Sequence, residues 1–216
     1  MTAPDRQALS RESILDAALR LADERGLSAT SMRAVADRVG VTPMALYPYV
    51  GSKAALLDGL VDRMLGEFMP DVAIVAALPW RERLYRIGVG ARELAHRHPT
   101  TFTLLFDRPA VTGDAVRVID VVYQALLDAG VPDAHVPRLE RLFTTFCLGF
   151  ALSEVNGRFG PGTVDPRGRR AQAAAGTATA HERLAPILDS GLDIEAEYDA
   201  DLRDMIGLVE LAASRE

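Results

Sequence analysis

The run TSMRAVADRVGVTPMALYPYVGSK, residues 30–53, decides the reading of the whole chain. Met32, Val35, Ala36 and Val39 recur at helical spacing behind Thr30 or Ser31, either of which can cap the first turn. Gly40 follows where a left-handed residue ends a helix. After the Gly40-Val41 turn, Thr42 is placed to cap a second helix and Pro43 takes its first position, where a missing N–H costs nothing. Two short helices joined by a glycine-containing turn have the geometry of a helix-turn-helix, whose second helix enters the major groove of DNA. Such pairs also occur in proteins that never touch DNA, so the spacing alone leaves both readings open.

Upstream, Ser10 is a good N-cap, with Leu9 and Ile14 placed as a hydrophobic staple. Ile14, Ala17, Ala18 and Leu21 form an apolar stripe, and Gly26 closes the helix. The wording is more specific than the spacing. Val41-Thr42-Pro43-Met44-Ala45-Leu46-Tyr47, then Tyr49-Val50 and Ser52-Lys53-Ala54-Ala55-Leu56, resembles the signature of the TetR family of bacterial transcriptional repressors. Ser13-Ile14-Leu15-Asp16-Ala17-Ala18-Leu19 and Glu24-Arg25-Gly26 resemble the first helix of that family's DNA-binding domain. The likeness covers roughly the first 50 to 60 residues, about one three-helix reading module; the remainder matches in helical layout only.

The resemblance implies an all-α fold. A helix-turn-helix DNA-binding domain would span residues 1–53, with a connecting helix over 52–69, followed by a ligand-binding and dimerisation domain over 70–216. It places Thr42, Pro43, Met44 and Ala45 against base edges, and Tyr47, Tyr49 and Lys53 on backbone phosphates. Ser31, Met32 and Arg33, at the start of the preceding helix, also face DNA in this reading. None of the four base-facing residues is a strong bidentate hydrogen bonder, so readout is expected to lean on thymine methyls and the Thr42 hydroxyl, with Arg33 as the candidate for a bidentate guanine or phosphate contact. Leu46 and Val50 are assigned to the core. Pro48 departs from the family pattern; a proline disfavours the α conformation at Tyr47 and removes a donor, so the recognition helix is expected to end a residue early.

At 216 residues the chain is long enough for one or two domains and a substantial core. No run approaches the roughly 18 apolar residues of a membrane span, and MTAPDRQALSRES has no apolar signal segment, so a soluble cytoplasmic chain with no membrane partner is expected. The single Cys147 excludes an internal disulfide and a multi-cysteine zinc site; between Phe146 and Leu148 it reads as a core thiol. The net charge of −6 is unevenly spread: residues 1–53 carry seven Lys+Arg against six Asp+Glu, so the acidity lies outside the reader. A near-neutral reader still holds phosphate if its cations face one way, with affinity falling steeply in salt.

Further helices are expected over 52–69, 80–97, 100–106, 114–129, 136–159, 181–188 and 194–213, with a linker at 70–79 and a mobile Arg- and Ala-rich loop to residue 179. Arg167, Arg169 and Arg170 in that loop read as a solvated cluster. A DNA-reading module of this size binds as a dimer on two half-sites, here a palindromic operator in double-stranded DNA; by the resemblance, helices 136–159 and 194–213 of each chain form the homodimer interface. An effector pocket for a small apolar molecule is expected from Met64, Phe68, Phe102, Leu105, Phe106, Val118, Val122, Phe143, Phe146, Cys147 and Phe150. Glu154 continues the last of these faces, where a carboxylate must be paired, protonated or ligand-binding.

Glu93 and His96 form one Glu-x-x-His. A helical metal-carboxylate enzyme needs two such motifs and two further inward carboxylates, and the second motif is absent. His96 and His98, just before Pro99, are expected to complement the dipole at a helix C-terminus. With no glycine-rich phosphate loop and no nucleophile elbow, no enzyme, cofactor or metal is expected. The alternative to an operator-binding regulator is a helical protein-binding adaptor of the same fold.

Overall fold

The computed structural model of the chain describes residues 9–108, 113–159, 183–184 and 193–214, and every regular element among them is helical. The helices are α1 (Arg11–Arg25), α2 (Met32–Val39), α3 (Tyr47–Val50, preceded by a 3-10 turn over Pro43–Leu46), α4 (Lys53–Val75) and α5 (Trp80–Arg97). They continue with α6 (Leu104–Asp107, after a 3-10 turn over Thr101–Thr103), α7 (Gly113–Asp128), α8 (Val136–Val155) and α9 (Ile194–Ala213). The expected helix over 181–188 and the Arg-rich run with Arg167, Arg169 and Arg170 lie, apart from Arg183 and Leu184, outside the described residues.

Side-chain caps set the starts of α1, α2 and α4. Ser10 and Ser13 exchange hydrogen bonds in a capping box at α1. Ser31, rather than Thr30, caps α2 by accepting the Ala34 N–H at 3.2 Å, and Gly40 closes that helix at φ 76°, ψ 32°, a left-handed conformation that costs glycine nothing. Ser52 accepts the Ala55 N–H at 3.1 Å and starts α4.

Three expectations are corrected. Pro48 does not end the recognition segment. Tyr47 keeps right-handed helical angles (φ −58°, ψ −36°), and the helix continues until the Gly51 N–H meets the Tyr47 carbonyl at 2.9 Å. The proline acts one turn earlier. Lacking an N–H, it cannot bond back to Met44, and that first turn is wound as a 3-10 helix with the Ala45 N–H on the Thr42 carbonyl. Likewise Pro70 does not begin a linker, since α4 runs through it to Val75. Val72 and Val75 continue the buried stripe of Leu65 and Phe68, and their burial outweighs the lost hydrogen bond. Third, α8 stops at Val155, not 159. The Gly157 N–H bonds the Glu154 carbonyl and the Arg158 N–H the Ser153 carbonyl, a Schellman closure that needs φ 75° at Gly157.

The chain divides into two compact units, Met1–Leu78 with Glu93–Val122, and Pro79–Arg92 with Tyr123–Glu216, so α5 and α7 each belong partly to both. In the first, Ile14, Leu15, Ala18 and Leu21 of α1 are buried together with Val35 and Ala36 of α2, Leu46 and Val50 of the recognition segment, and Leu56, Leu60 and Met64 of α4. In the second, the core holds Leu84 and Ile87 of α5, Leu126 of α7, Phe143 and Cys147 of α8, and Tyr198, Leu202 and Val209 of α9. Each large apolar side chain so buried contributes about 1.5–3 kcal/mol.

Candidate functional site

The recognition segment is held by two buried anchors, Leu46 and Val50, and turns everything between them outward. Met44 is 73% exposed, Tyr47 43% and Tyr49 41%. An apolar side chain as open as Met44 has no packing role in the chain itself. Thr42 is also exposed, its side chain making no capping hydrogen bond; Pro43 and Ala45 are half-buried beside it. Ser31 and Met32 are half-buried, with the Ser31 side chain occupied at the cap.

The cations of this region divide into two sets. Arg38 is spent on Glu24, with guanidinium nitrogens at 2.6 and 2.5 Å from the two carboxylate oxygens. The Arg38 hydrogen bond holds the Glu24 carboxyl below its ordinary value, and Glu24 raises Arg38 in turn. Arg63 is likewise bound to Asp16 and Arg11 lies 3.7 Å from Asp62. Arg33 and Lys53 are exposed and, among the described residues, make no ion pair.

Residues 14–60 match the family model for bacterial regulatory proteins of the tetR family, and residues 84–200 match that for the tetracyclin repressor-like C-terminal domain. The chain belongs to the TetR family. It is 41% identical over 200 residues to the class A tetracycline repressor protein from transposon 1721 of Escherichia coli, covering 89% of this chain and 84% of that one. It is 28% identical over 146 residues to an HTH-type transcriptional regulator of Saccharopolyspora erythraea, covering 68% of this chain and 61% of that one. The crystal structure of the Streptomyces coelicolor TetR family protein ActR in complex with actinorhodin superposes with a TM-score of 0.77 at 22% identity, over 97% of this chain and all of that one, a likeness of fold. The chain spans about three fifths of the length of the first curated relatives it matches.

TetR-family regulators generally bind DNA and small effectors and dimerise, and they are not enzymes. Glu93 and His96 are both exposed, and no group of three or more His, Cys, Asp or Glu among the described residues is placed to hold a metal ion. Among those residues no helix is long and apolar enough to cross a membrane.

The residues assigned to an effector pocket fall into both units of this TetR-family chain. In the first, Met64, Phe68, Phe102 and Val122 are buried, Leu105 and Val118 half-buried, and Phe106 is 46% exposed. In the second, Phe143 and Cys147 are buried; burial pushes the Cys147 thiol up to about 12, which keeps it protonated and unreactive. Phe146 and Phe150 pack on a single ring, Tyr198 of α9, at centroid distances of 6.0 and 4.7 Å.

Glu154 is paired. Arg92 of α5 grips it with two hydrogen bonds of 2.7 and 2.6 Å, and the same guanidinium lies 5.5 Å over the Tyr198 ring. Above all the hydrogen bond to Glu154 raises Arg92 from its ordinary value. Beside it opens a cavity of about 400 Å3 walled by Tyr85, Val89, Arg92, Tyr198 and Leu202, with Asp193, Glu195 and Asp199 around it. None of these lining residues belongs to the pocket expected from sequence; Tyr198 and Leu202 read there as part of an apolar stripe on the last helix, broad enough to pack against a partner chain. The Tyr85 hydroxyl donates to Asp199 at 2.7 Å and the Tyr198 hydroxyl to the Gly88 carbonyl at 2.7 Å, pairs more than 100 residues apart in the chain.

Proposed function

We propose that the chain is a ligand-responsive repressor that holds a palindromic operator in double-stranded DNA as a homodimer and leaves it on binding a small, largely apolar effector. The observation that carries this reading is the outward edge of the recognition segment, with Met44 fully presented and the helix beneath it fixed by Leu46 and Val50. In it, Thr42, Pro43, Met44 and Ala45 meet base edges; Arg33, Tyr47, Tyr49 and Lys53 meet phosphates or a guanine, with Ser31 and Met32 beside them. The reader is residues 1–53 and the ligand-binding and dimerisation part 70–216, with α4 between them. Because α4 is one helix from Lys53 to Val75, a tilt anywhere along it displaces the reader. The dimer forms through α8 and α9, residues 136–155 and 194–213, where Leu142, Leu208 and Leu211 are 43%, 47% and 50% exposed. The effector contacts the aromatic set around Phe143, Phe146 and Phe150, and Glu154 enters only if it is released from Arg92.

The test is anisotropy on short duplexes tiling the DNA beside the gene, at two salt concentrations. One palindromic tile should bind two chains, and Lys53→Ala should lower affinity on every tile and reduce the salt slope by about one. A helical adaptor predicts instead that Lys53→Ala and Arg33→Ala change nothing. Coupling to effector is expected at about 5- to 150-fold in operator affinity.

A further inference from the structure

His98, expected to complement the dipole at the end of α5, is 5% exposed and faces two carboxylates. Its Nδ1 lies 2.8 Å from Asp23 Oδ2 of α1 and its Nε2 lies 3.0 Å from Glu67 Oε2 of α4. An ionised carboxylate only accepts hydrogen bonds, so a ring facing one at each nitrogen makes both bonds only with a hydrogen on both, as an imidazolium. A neutral ring leaves one lone pair aimed at an anionic oxygen, inside the protein where an unmade bond is expensive. The other groups facing this triad fit the charged form. Arg97 of α5 lies 3.3 Å from Glu67, and the Thr101 hydroxyl reaches Asp23 at 3.5 Å. Arg63, one turn before Glu67 on α4, is bound to Asp16 of α1.

We propose that His98 is a positioning residue for the DNA reader: protonated, it clasps α1 of the reader to α4 and to the end of α5, and operator affinity falls as it loses its proton. This rests on the repressor reading and names a regulation of the same site. Asp23 sits in the last turns of the helix that buttresses the recognition segment, and Glu67 sits on the helix that leads away from it, so the clasp fixes the angle between the two. The sign follows from which form is held. Only a ring with hydrogen on both nitrogens makes both bonds, so the clasp exists with the protonated ring and is lost with the neutral one. Burial alone pushes Glu67 up, but His98 and Arg97 outweigh it and hold the carboxyl below its ordinary value.

The experiment follows operator anisotropy and thermal midpoint from about pH 5 to about pH 8, the window in which histidine changes charge, for the wild type, His98→Gln and Glu67→Gln. Wild-type affinity should fall about tenfold across the window, within the usual range for coupled sites. His98→Gln should be weaker at the acid end and flatter. Glu67→Gln is the sharper variant: an amide can donate to a neutral Nε2, so affinity should be kept and the pH dependence lost. Nitrogen NMR of the ring should show both nitrogens protonated in the wild type at the acid end. Parallel wild-type and His98→Gln profiles, or a ring neutral throughout, would overturn the proposal. If no duplex binds at any pH, the repressor reading fails; the ring spectrum and a pH-dependent midpoint that Glu67→Gln removes then decide the clasp alone.

Discussion

The recognition segment and the α8–α9 pair are built on opposite principles. The first is a short stretch fixed by its own neighbours: Ser31 caps α2 from three residues away, Gly40 closes it, Ser52 starts the next helix, and only Leu46 and Val50 reach the core. The second is fixed by partners far off in the chain: Arg92 on Glu154, Tyr85 on Asp199, Tyr198 on the Gly88 carbonyl. A surface meant to be read by another molecule can be specified locally, because its outward side chains need no partner. A cluster enclosed by the chain's own helices is specified by what faces it, and those residues come from elsewhere.

Substitutions test this contrast, the largest first. Phe143→Ala removes a ring that is 1% exposed at the centre of the second unit and should lower stability by about 3–5 kcal/mol. Leu46→Ala, fully buried under the reader, should cost about 2–5 kcal/mol and abolish operator binding as well. Denaturant unfolding and anisotropy on the same samples check both. The comparison breaks if Phe143→Ala, studied where the protein is still folded, loses the operator as completely as Leu46→Ala does. Next, Arg92→Ala removes the two hydrogen bonds that Arg92 gives the mostly buried Glu154 and should cost about 2 kcal/mol, with much of the loss recovered in the double variant Arg92→Ala/Glu154→Ala. Ser31→Ala removes one local cap and should cost about 1 kcal/mol.

The same contrast explains what was legible in the sequence. Caps, glycines and stripe spacing located all the described helices, and α5 and α9 fall where spacing put them. Where the reading missed, a local rule was overridden from a distance or a local signal was passed over. Pro70 reads as a break, but Val72 and Val75 are buried beyond it; Asn156-Gly157 was the overlooked stop of α8. The reader's DNA-facing residues are placed by the family resemblance of residues 41–56, not by spacing. The cavity beside Arg92 was not legible, because nothing near Tyr85 in sequence announces Asp199, and no spacing rule brings His98 to Asp23 and Glu67. Glu154 was legible as a carboxylate in need of a partner; which arginine it takes was not.

The smallest effect belongs to Glu24→Gln. Both members of the Arg38–Glu24 pair face solvent, and exposed pairs hold little stability because water screens them and two long side chains must be fixed to make them. The thermal midpoint should therefore not move at neutral pH. The pair's influence on Glu24 has the sign of a depressed carboxyl: whatever it contributes is present above the ordinary glutamate range and fades as pH falls through it. Binding is where the substitution should show. An amide no longer cancels Arg38, the near-neutral reader gains one positive charge, and the summed field over its surface becomes more attractive to phosphate. Operator affinity should rise about twofold at low salt and return to the wild-type value as added salt screens the charge. A gain that persists at high salt would mean that Arg38 has swung onto the DNA itself, and the reader would then be set by an ion pair 14 residues apart in sequence as well as by its local caps.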